Sequence, residues 1–254
     1  MATRIPTTVI TGFLGAGKTS LIRHLVENNN GKRLAFLINE FGDLGIDREL
    51  LLGCGVEGCD EDDVVELANG CICCTVADDF TPALEALLDR DTPPDHILIE
   101  TSGLALPKPL VAAFNWPEIR NRVTVDGVIT VVDASAVADG RFAPDPDAVQ
   151  AMREADPALD HDDPIEELFV DQLQCADVVV LNKSDLLEAS AMDALNVNIT
   201  PHLRSGVRLL PAAHGRLDAS ALLGLGLAAE SNVDARKSHH DDEEHDHDDF
   251  DSFA

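Results

Sequence analysis

Positive charge is scarce in this sequence: 18 lysine and arginine residues stand against 47 aspartate and glutamate residues, which gives a formal net charge of −29 at pH 7. A surface this negative repels the phosphates of nucleic acids and anionic lipid head groups. The sequence also lacks a signal-peptide pattern at its start and any apolar run of the roughly 18 residues that a membrane span needs. We therefore expect a cytoplasmic protein that binds neither nucleic acids nor membranes.

Cysteine is limited to six residues, yet three of them, Cys71, Cys73 and Cys74, fall within four positions. Thiols stay reduced in the cytoplasm, so this cluster indicates metal ligands or redox groups rather than disulfides. The C-x-C-C spacing lets two or three thiolates converge on one ion if the backbone turns at Gly70. Thiolates suit zinc, copper(I) or cobalt(II) rather than magnesium or calcium.

Three thiols are fewer than the four protein ligands of a typical structural zinc site, and an incomplete site suits a carrier that must release its ion. Two alternatives are a group of buried packing cysteines and a catalytic thiol, although no histidine lies nearby in sequence to activate one. Cys54 and Cys59 flank a glycine turn and could pack, form a second metal pair or join the main site. Cys175 ends a predicted helix and is predicted to lie in the core.

The first 230 residues alternate between apolar runs typical of buried parallel strands and stretches with helical spacing. This order predicts an α/β fold with a doubly wound, mostly parallel sheet and ligands at the carboxyl ends of its strands. Strands are predicted at 7–11, 33–39, 96–100, 128–133 and 177–182, and helices at 19–31, 76–90, 164–175 and 218–227.

Two segments interrupt the alternation. Residues 140–163 are rich in proline and aspartate, which predicts a surface loop with a short helix. Residues 231–254 are acidic and histidine-rich with little to bury, so we expect a disordered tail. This tail is either a solvated linker or a weak trap for divalent metals.

Residues 12–19, GFLGAGKT, fit the phosphate-loop pattern G-x-x-x-x-G-K-[ST] between a predicted strand and a predicted helix. The glycines let backbone N–H groups wrap the α and β phosphates of a nucleotide. Lys18 is expected to reach the β and γ phosphates, and the Thr19 hydroxyl to bind magnesium. The alternative is a chance glycine-rich turn. The predicted nucleotide contacts of this loop are Gly12, Gly15, Ala16, Gly17, Lys18, Thr19 and Ser20.

NKSD, residues 182–185, follows another predicted strand and resembles the guanine-reading N-K-x-D motif of P-loop GTPases. The Asp185 carboxylate can accept hydrogen bonds from N1 and the 2-amino group of guanine, a donor pair that adenine lacks. Asn182 and the stem of Lys183 are expected to hold the loop and cover the base. The alternative is a polar turn; GTP is favoured over ATP.

ETSG, residues 100–103, ends the third apolar strand and resembles the second-switch motif of GTPases, with glutamate in place of the usual aspartate. Glu100 is expected near magnesium and Gly103 near the γ phosphate. Together with Lys18 they are the predicted catalytic residues.

NEFGDLGID, residues 39–47, occupies the first-switch position after the second strand. Glu40 and Asp43 are predicted to contact metal or water, and the alternative is that they are solvated loop carboxylates.

The motifs GFLGAGKT, NEFGDLGID, NGCICC, ETSG and NKSD, in this order, are similar to those of the CobW family of metal-handling P-loop GTPases. The stretches GCGVEGC and ELANGCICCTVADDF resemble the cobalamin-pathway branch in particular. The resemblance covers nearly the whole chain. It implies a GTPase that binds cobalt(II), with zinc(II) as competitor, and delivers it to the cobaltochelatase of aerobic cobalamin synthesis.

The resemblance also assigns Cys71, Cys73 and Cys74 as the metal motif. Family members usually continue past a histidine-rich linker into a smaller C-terminal domain, whereas this chain ends at Ala254. We therefore expect a GTPase domain over 1–230 and a tail over 231–254. The chain is expected to be either a fragment or a natural truncation of such a protein, and this leaves its oligomeric state open.

The cysteine motif lies between the two switch segments in sequence, so ordering of both switches by the γ phosphate and magnesium would assemble the metal site. GTP is then expected to raise metal affinity and its hydrolysis to lower it, and metal must tighten GTP binding equally. One rival is a zinc or iron chaperone, since zinc outcompetes cobalt at similar sites. Others are a P-loop kinase or phosphotransferase with structural cysteines, which NKSD argues against, and a metal store built around the tail.

Overall fold

The architecture is built on one parallel sheet. The computed structural model describes residues 4–29, 31–39, 64–67, 80–155 and 164–238. Within these ranges the strands are β1 (Ile5–Thr11), β2 (Leu34–Asn39), β3 (Val64–Leu67), β4 (His96–Glu100), β5 (Val123–Asp133), β6 (Val178–Asn182) and β7 (Arg208–Pro211). They pair in the order β3-β2-β4-β1-β5-β6-β7, and every pair is parallel. This confirms the predicted doubly wound α/β fold, with the direction of winding reversed around β1.

In the described ranges helices lie between most successive strands, and several begin with proline in the first turn, where the missing N–H costs no hydrogen bond. Their bounds are α1 (Lys18–Glu27), α2 (Thr81–Leu88), α3 (Pro107–Ala113), α4 (Ala134–Ala138), α5 (Pro146–Ala155), α6 (Ile165–Cys175) and α7 (Ala189–Ile199). None of the described helices is long and apolar enough to cross a membrane.

The two faces of the sheet carry separate cores. Val9 of β1 packs in a cluster with Leu84 and Leu110, whereas its neighbour Ile10 packs in a cluster with Leu21 on the other face. All five of these aliphatic side chains are fully buried. Because apolar side chains cover both faces of the sheet, the strand sequences are continuously apolar and do not alternate between apolar and polar residues.

The predicted helix over 218–227 is wrong. Only a short 3-10 turn forms at Ala219–Ala221, and the backbone then turns through Gly224 and Gly226 at positive φ. The N–H groups of residues 224, 225 and 226 donate to the buried Asp126 carboxylate at 2.6–2.9 Å. A carboxylate that accepts three backbone N–H groups outweighs the local helical spacing.

Smaller differences concern element ends. The strand predicted at 128–133 starts five residues earlier, at Val123, and the helix predicted to reach residue 31 ends at Glu27. The short helix expected within 140–163 is present as α5. The predicted tail from residue 239 onward lies outside the described residues.

Residues 222–238 form a segment that we call the C-terminal strap. It crosses the amino edge of the sheet, opposite the ends where ligands bind in this fold. The carboxylate of Glu230 accepts from Arg4, Thr124 and the Val125 N–H, and Arg236 pairs with Asp177. Glu230 is 4 % and Arg236 0 % exposed, so packing of the first domain continues past residue 230.

Candidate nucleotide site

The loop over residues 12–19 runs from β1 to α1, and its conformation requires glycine. Gly17 precedes α1 at φ 102°, and a Cβ there would lie 2.2 Å from Nδ2 of Asn182. Gly12 has φ 137°, and a Cβ there would lie 2.1 Å from the Val131 carbonyl oxygen. The loop therefore passes close to β5 and β6. It leads into α1 without a side-chain cap, and the first N–H groups of a helix have no partner within the helix, an arrangement suited to anions.

Lys18 lies inside this loop. Its Nζ donates to the carbonyl oxygens of Gly12 at 2.8 Å and Phe13 at 3.4 Å, and the residue is 6 % exposed. Both of these partners are backbone carbonyl oxygens of the same loop. Thr19, half-buried, and Ser20, exposed, follow it on the first turn of α1.

Asn182 joins the two sequence motifs. Its Nδ2 donates to the Ala16 carbonyl at 2.9 Å, and its Oδ1 accepts the Gly215 N–H at 2.9 Å. The side chain is buried, with 2 % exposure. A Cβ on Gly215 would lie 2.7 Å from the Leu21 nitrogen, so the loop after β7 also packs directly on α1.

Lys183 adopts a left-handed conformation at φ 58° and donates from Nζ to Oδ2 of Asp133 at 2.6 Å. Asp133 ends β5 opposite Asn182 on β6, and its other oxygen accepts the Ala136 N–H at the start of α4. Asp133 belongs to none of the motifs that predicted site residues. The available signal was a carboxylate at the end of an apolar strand, the position where ligand-binding groups of parallel sheets collect.

Eight of the predicted residues line one cavity of about 380 Å³: Gly15, Gly17, Lys18, Thr19, Ser20, Asn182, Lys183 and Asp185. Leu186 and His214 complete its lining and were not predicted. Leu186 is 65 % exposed, which offers an apolar surface to a flat base. His214 places Nε2 3.8 Å from Oδ2 of Asp185. The only sequence feature that could have indicated His214 is weak: it precedes a glycine in the loop after the last strand.

The ETSG motif also meets the phosphate loop. Glu100 ends β4 beside Ile10 and is 4 % exposed, and the Thr101 N–H donates to the Ile10 carbonyl at 3.0 Å. A Cβ on Gly103 would lie 2.8 Å from the Leu14 nitrogen. The motif thus passes directly against the loop that carries Lys18.

The oxygen donors here match a magnesium nucleotide. Mg²⁺ prefers carboxylate and hydroxyl oxygens together with phosphate, and Glu100 and Thr19 supply such groups beside the glycine-lined loop. They are the residues that would hold the ion, and the ion would supply charge neutralisation at the phosphates.

The predicted thiol site lies outside the described residues. Cys71, Cys73, Cys74, Cys54, Cys59, Glu40 and Asp43 all belong to this group. Within the described ranges, no three histidine, cysteine or acidic side chains are grouped to hold a metal. Cys175 is in the core as predicted, and burial raises the pKa of its thiol to about 11, which disfavours the thiolate.

Residues 6–208 match the protein family described as CobW/HypB/UreG, nucleotide-binding domain. The chain belongs to this family. It is 59 % identical to the zinc chaperone CobW of Sinorhizobium sp. over 99 % of the chain and 72 % of that protein. It is 53 % identical to the zinc chaperone CobW of Pseudomonas aeruginosa over 94 % of the chain and 65 % of that protein.

Among solved structures, the Zn(II)-bound YjiA GTPase of Escherichia coli aligns with a TM-score of 0.51 and 23 % identity, over 90 % of this chain and 62 % of that one. A Zn(II)-bound triple mutant of YjiA aligns with a TM-score of 0.55. These likenesses support the fold. The chain spans about two thirds of the length of the CobW relatives, so activity of a whole CobW-like protein is a matter for proposal.

Proposed function

We propose that the protein is a GTP-dependent metal chaperone of the cytoplasm. The observation that carries the nucleotide part is the Asn182 bridge, which joins the phosphate loop to the loop after β7 across one cavity. Phosphates bind at residues 12–19, guanine binds at Asp185, and Lys18, Glu100 and Gly103 surround the γ phosphate and magnesium. Hydrolysis gives GDP and phosphate.

The base preference is tested by changing one acceptor. Asp185→Asn replaces a carboxylate that accepts from guanine N1 and its 2-amino group with an amide that can donate to the 2-oxo group of xanthine. We expect the unaltered protein to bind GDP in preference to ADP and XDP, and the variant to prefer XDP. Asp193→Asn, on the exposed face of α7, is the matched control. Equal binding of GDP and ADP by the unaltered protein would contradict guanine recognition.

The metal part of the proposal is supported by two CobW relatives, both described as zinc chaperones, and by the thiols of Cys71, Cys73 and Cys74. We favour zinc(II) as the transported ion because thiolate ligands bind zinc more tightly than cobalt. Cobalt(II) delivery to the cobaltochelatase, implied by the branch resemblance, stays a second candidate, and a recipient protein is required in either case.

A competition titration separates the two ions. Zinc(II) and cobalt(II) are added to reduced protein with magnesium and either GDP or a non-hydrolysable GTP analogue, and thiolate-to-cobalt absorption is followed. Tight binding that needs the GTP analogue and disappears when the three cysteines become serine supports a nucleotide-controlled carrier. Binding that ignores the nucleotide contradicts the coupling. GTP hydrolysis without any acceptor would exclude a kinase as the sole activity.

A further inference from the structure

The loop between β4 and α3, residues 101–106, accepts hydrogen bonds from a glutamine side chain of α6. Nε2 of Gln172 donates to the carbonyl oxygens of Gly103 at 3.0 Å and Ala105 at 3.2 Å. Gln172 is fully buried. Both partners are acceptors, so the amide must present its NH₂ group to the loop, and this orientation follows from the chemistry of the contacts.

The same stretch of backbone is confined from the other side. A Cβ on Gly103 would lie 2.8 Å from the Leu14 nitrogen, so Gly103 is enclosed between the phosphate loop and the Gln172 amide. Any shift of this amide therefore moves the Gly103 backbone relative to residues 12–19. Sub-ångström placement of groups beside a reacting phosphate controls how well they stabilise the transition state.

Gln172 lies on α6, and hydrogen bonds to other segments hold this helix in place. Its own carbonyl accepts the Thr130 hydroxyl of β5 at 2.8 Å, and the Cys175 carbonyl at the end of α6 accepts from Arg236. Among the described residues no donor reaches Oε1 of Gln172, although this atom is buried. Both printed contacts of the amide are therefore made by its N–H donors, and both go to the 101–106 loop.

We propose that Gln172 is a positioning residue for GTP hydrolysis, which holds the Gly103 backbone at the γ-phosphate side of the phosphate loop. The inference rests on the proposed GTPase function. It predicts that Gln172 acts on the chemical step and not on nucleotide affinity, because its contacts are with the 101–106 loop and not with the cavity that holds phosphates and base.

The test uses Gln172→Met, which keeps the length of the side chain and removes both N–H donors. Gln174→Met, two residues along α6 and half-buried, is the matched control. We measure single-turnover hydrolysis of GTP, corrected for folded protein by titration with fluorescent GDP, together with the Kd values of GDP and of a non-hydrolysable GTP analogue.

The expected result is a rate constant at least about tenfold lower for Gln172→Met, with both Kd values changed less than about twofold and Gln174→Met unaffected. Gln172→Asn, whose shorter amide can reach one carbonyl at most, should have a rate constant between those of the unaltered protein and Gln172→Met. It serves as the test if the Met variant does not fold. An unchanged rate constant per folded molecule, with only a lower thermal midpoint, would reduce Gln172 to a structural role. If the unaltered protein does not hydrolyse GTP, the proposed function itself fails and is distinguished from failure of this inference.

Discussion

Asn182 and Ala16 lie far apart in sequence, yet the Asn182 amide donates to the Ala16 carbonyl at 2.9 Å inside the phosphate loop. The same side chain accepts the Gly215 N–H. One buried residue thus fixes the spacing between the phosphate loop and the loop after β7.

Replacement of Asn182 by alanine should therefore weaken nucleotide binding without removing a direct phosphate contact. Two buried groups, the Ala16 carbonyl and the Gly215 N–H, lose their partner, and each unsatisfied group costs about 1–3 kcal/mol. We expect GDP affinity to fall about tenfold or more and the free energy of unfolding to drop by a few kcal/mol. Asn198→Ala, exposed on α7, is the control, and equal GDP affinities in the two variants would contradict a role for the Asn182 bridge in nucleotide binding.

A comparison of Gly215 with Gly31 separates two contributions to the cost of a substitution, backbone strain and steric overlap with neighbouring atoms. Both have positive φ, at 68° and 77°, but a Cβ meets backbone atoms of α1 at Gly215 and nothing within 4 Å at Gly31. Gly31→Ala should cost about 1–2 kcal/mol from conformation alone. Gly215→Ala should cost more and also lower GDP affinity, measured by denaturant unfolding and fluorescent nucleotide titration. A similar loss of stability in both, with GDP binding intact, would show that the contact with α1 is unimportant.

The parts of this site that could be predicted are those with local patterns. The strand, loop and helix around residues 12–19 follow from glycine spacing next to an apolar run, and the strand at 96–100 follows from five consecutive core positions. The parts that were missed depend on contacts between distant segments. Asp133 acquires its role from Lys183, and the requirement for Gly215 is set by Leu21.

Contacts between distant segments also account for the missing helix at 218–227 and for the C-terminal strap. Residues 218–227 have helical spacing, but the Asp126 carboxylate captures three of their N–H groups instead. Arg236 precedes an acidic, histidine-rich stretch that reads as solvated, yet it is fully buried against Asp177. In both cases a carboxylate with little exposure, that of Asp126 or Asp177, determines the local structure, and nothing near it in sequence indicates its partner.

His96 should make stability depend on pH. Its ring is buried at the start of β4 and hydrogen-bonded to the Thr8 hydroxyl, and burial lowers its pKa from 6.5 to about 4, opposed by Asp126 and reinforced by Lys32. The unfolded chain binds a proton below pH 6.5 that the folded protein does not accept until about pH 4. Proton binding by His96 therefore leaves the free energy of unfolding at its full value above pH 6.5 and lowers it as the pH falls towards 4.

The predicted loss over this window is about 3 kcal/mol in the free energy of unfolding. His96→Gln should flatten the pH dependence relative to the unaltered protein, although it lowers stability at pH 7. His202→Gln, at an exposed position, should leave the slope unchanged. Urea unfolding at several pH values gives these slopes, and a parallel pair of curves for His96→Gln and the unaltered protein would contradict the assignment.

The C-terminal strap should be required for the stability of the nucleotide domain. Arg236 donates to both oxygens of Asp177 at 2.9 and 3.0 Å and to the Cys175 carbonyl, while Arg204 also binds Asp177. Breaking a buried ion pair by removing one partner costs about 3–5 kcal/mol, because the remaining charge is left in an apolar environment.

Arg236→Met should therefore lower the free energy of unfolding by about 3 kcal/mol or somewhat less, since Arg204 still compensates Asp177. Arg23→Met, which removes an exposed pair with Glu27, should cost at most about 0.5 kcal/mol. A chain shortened to residue 230 loses Arg236 and the Ser238 contact to Asp171, whereas one shortened to residue 238 keeps both. If packing of the strap stabilises the domain, the shorter chain unfolds at lower urea concentration; equal midpoints would mean that the domain is complete at residue 230, as the sequence alone predicts.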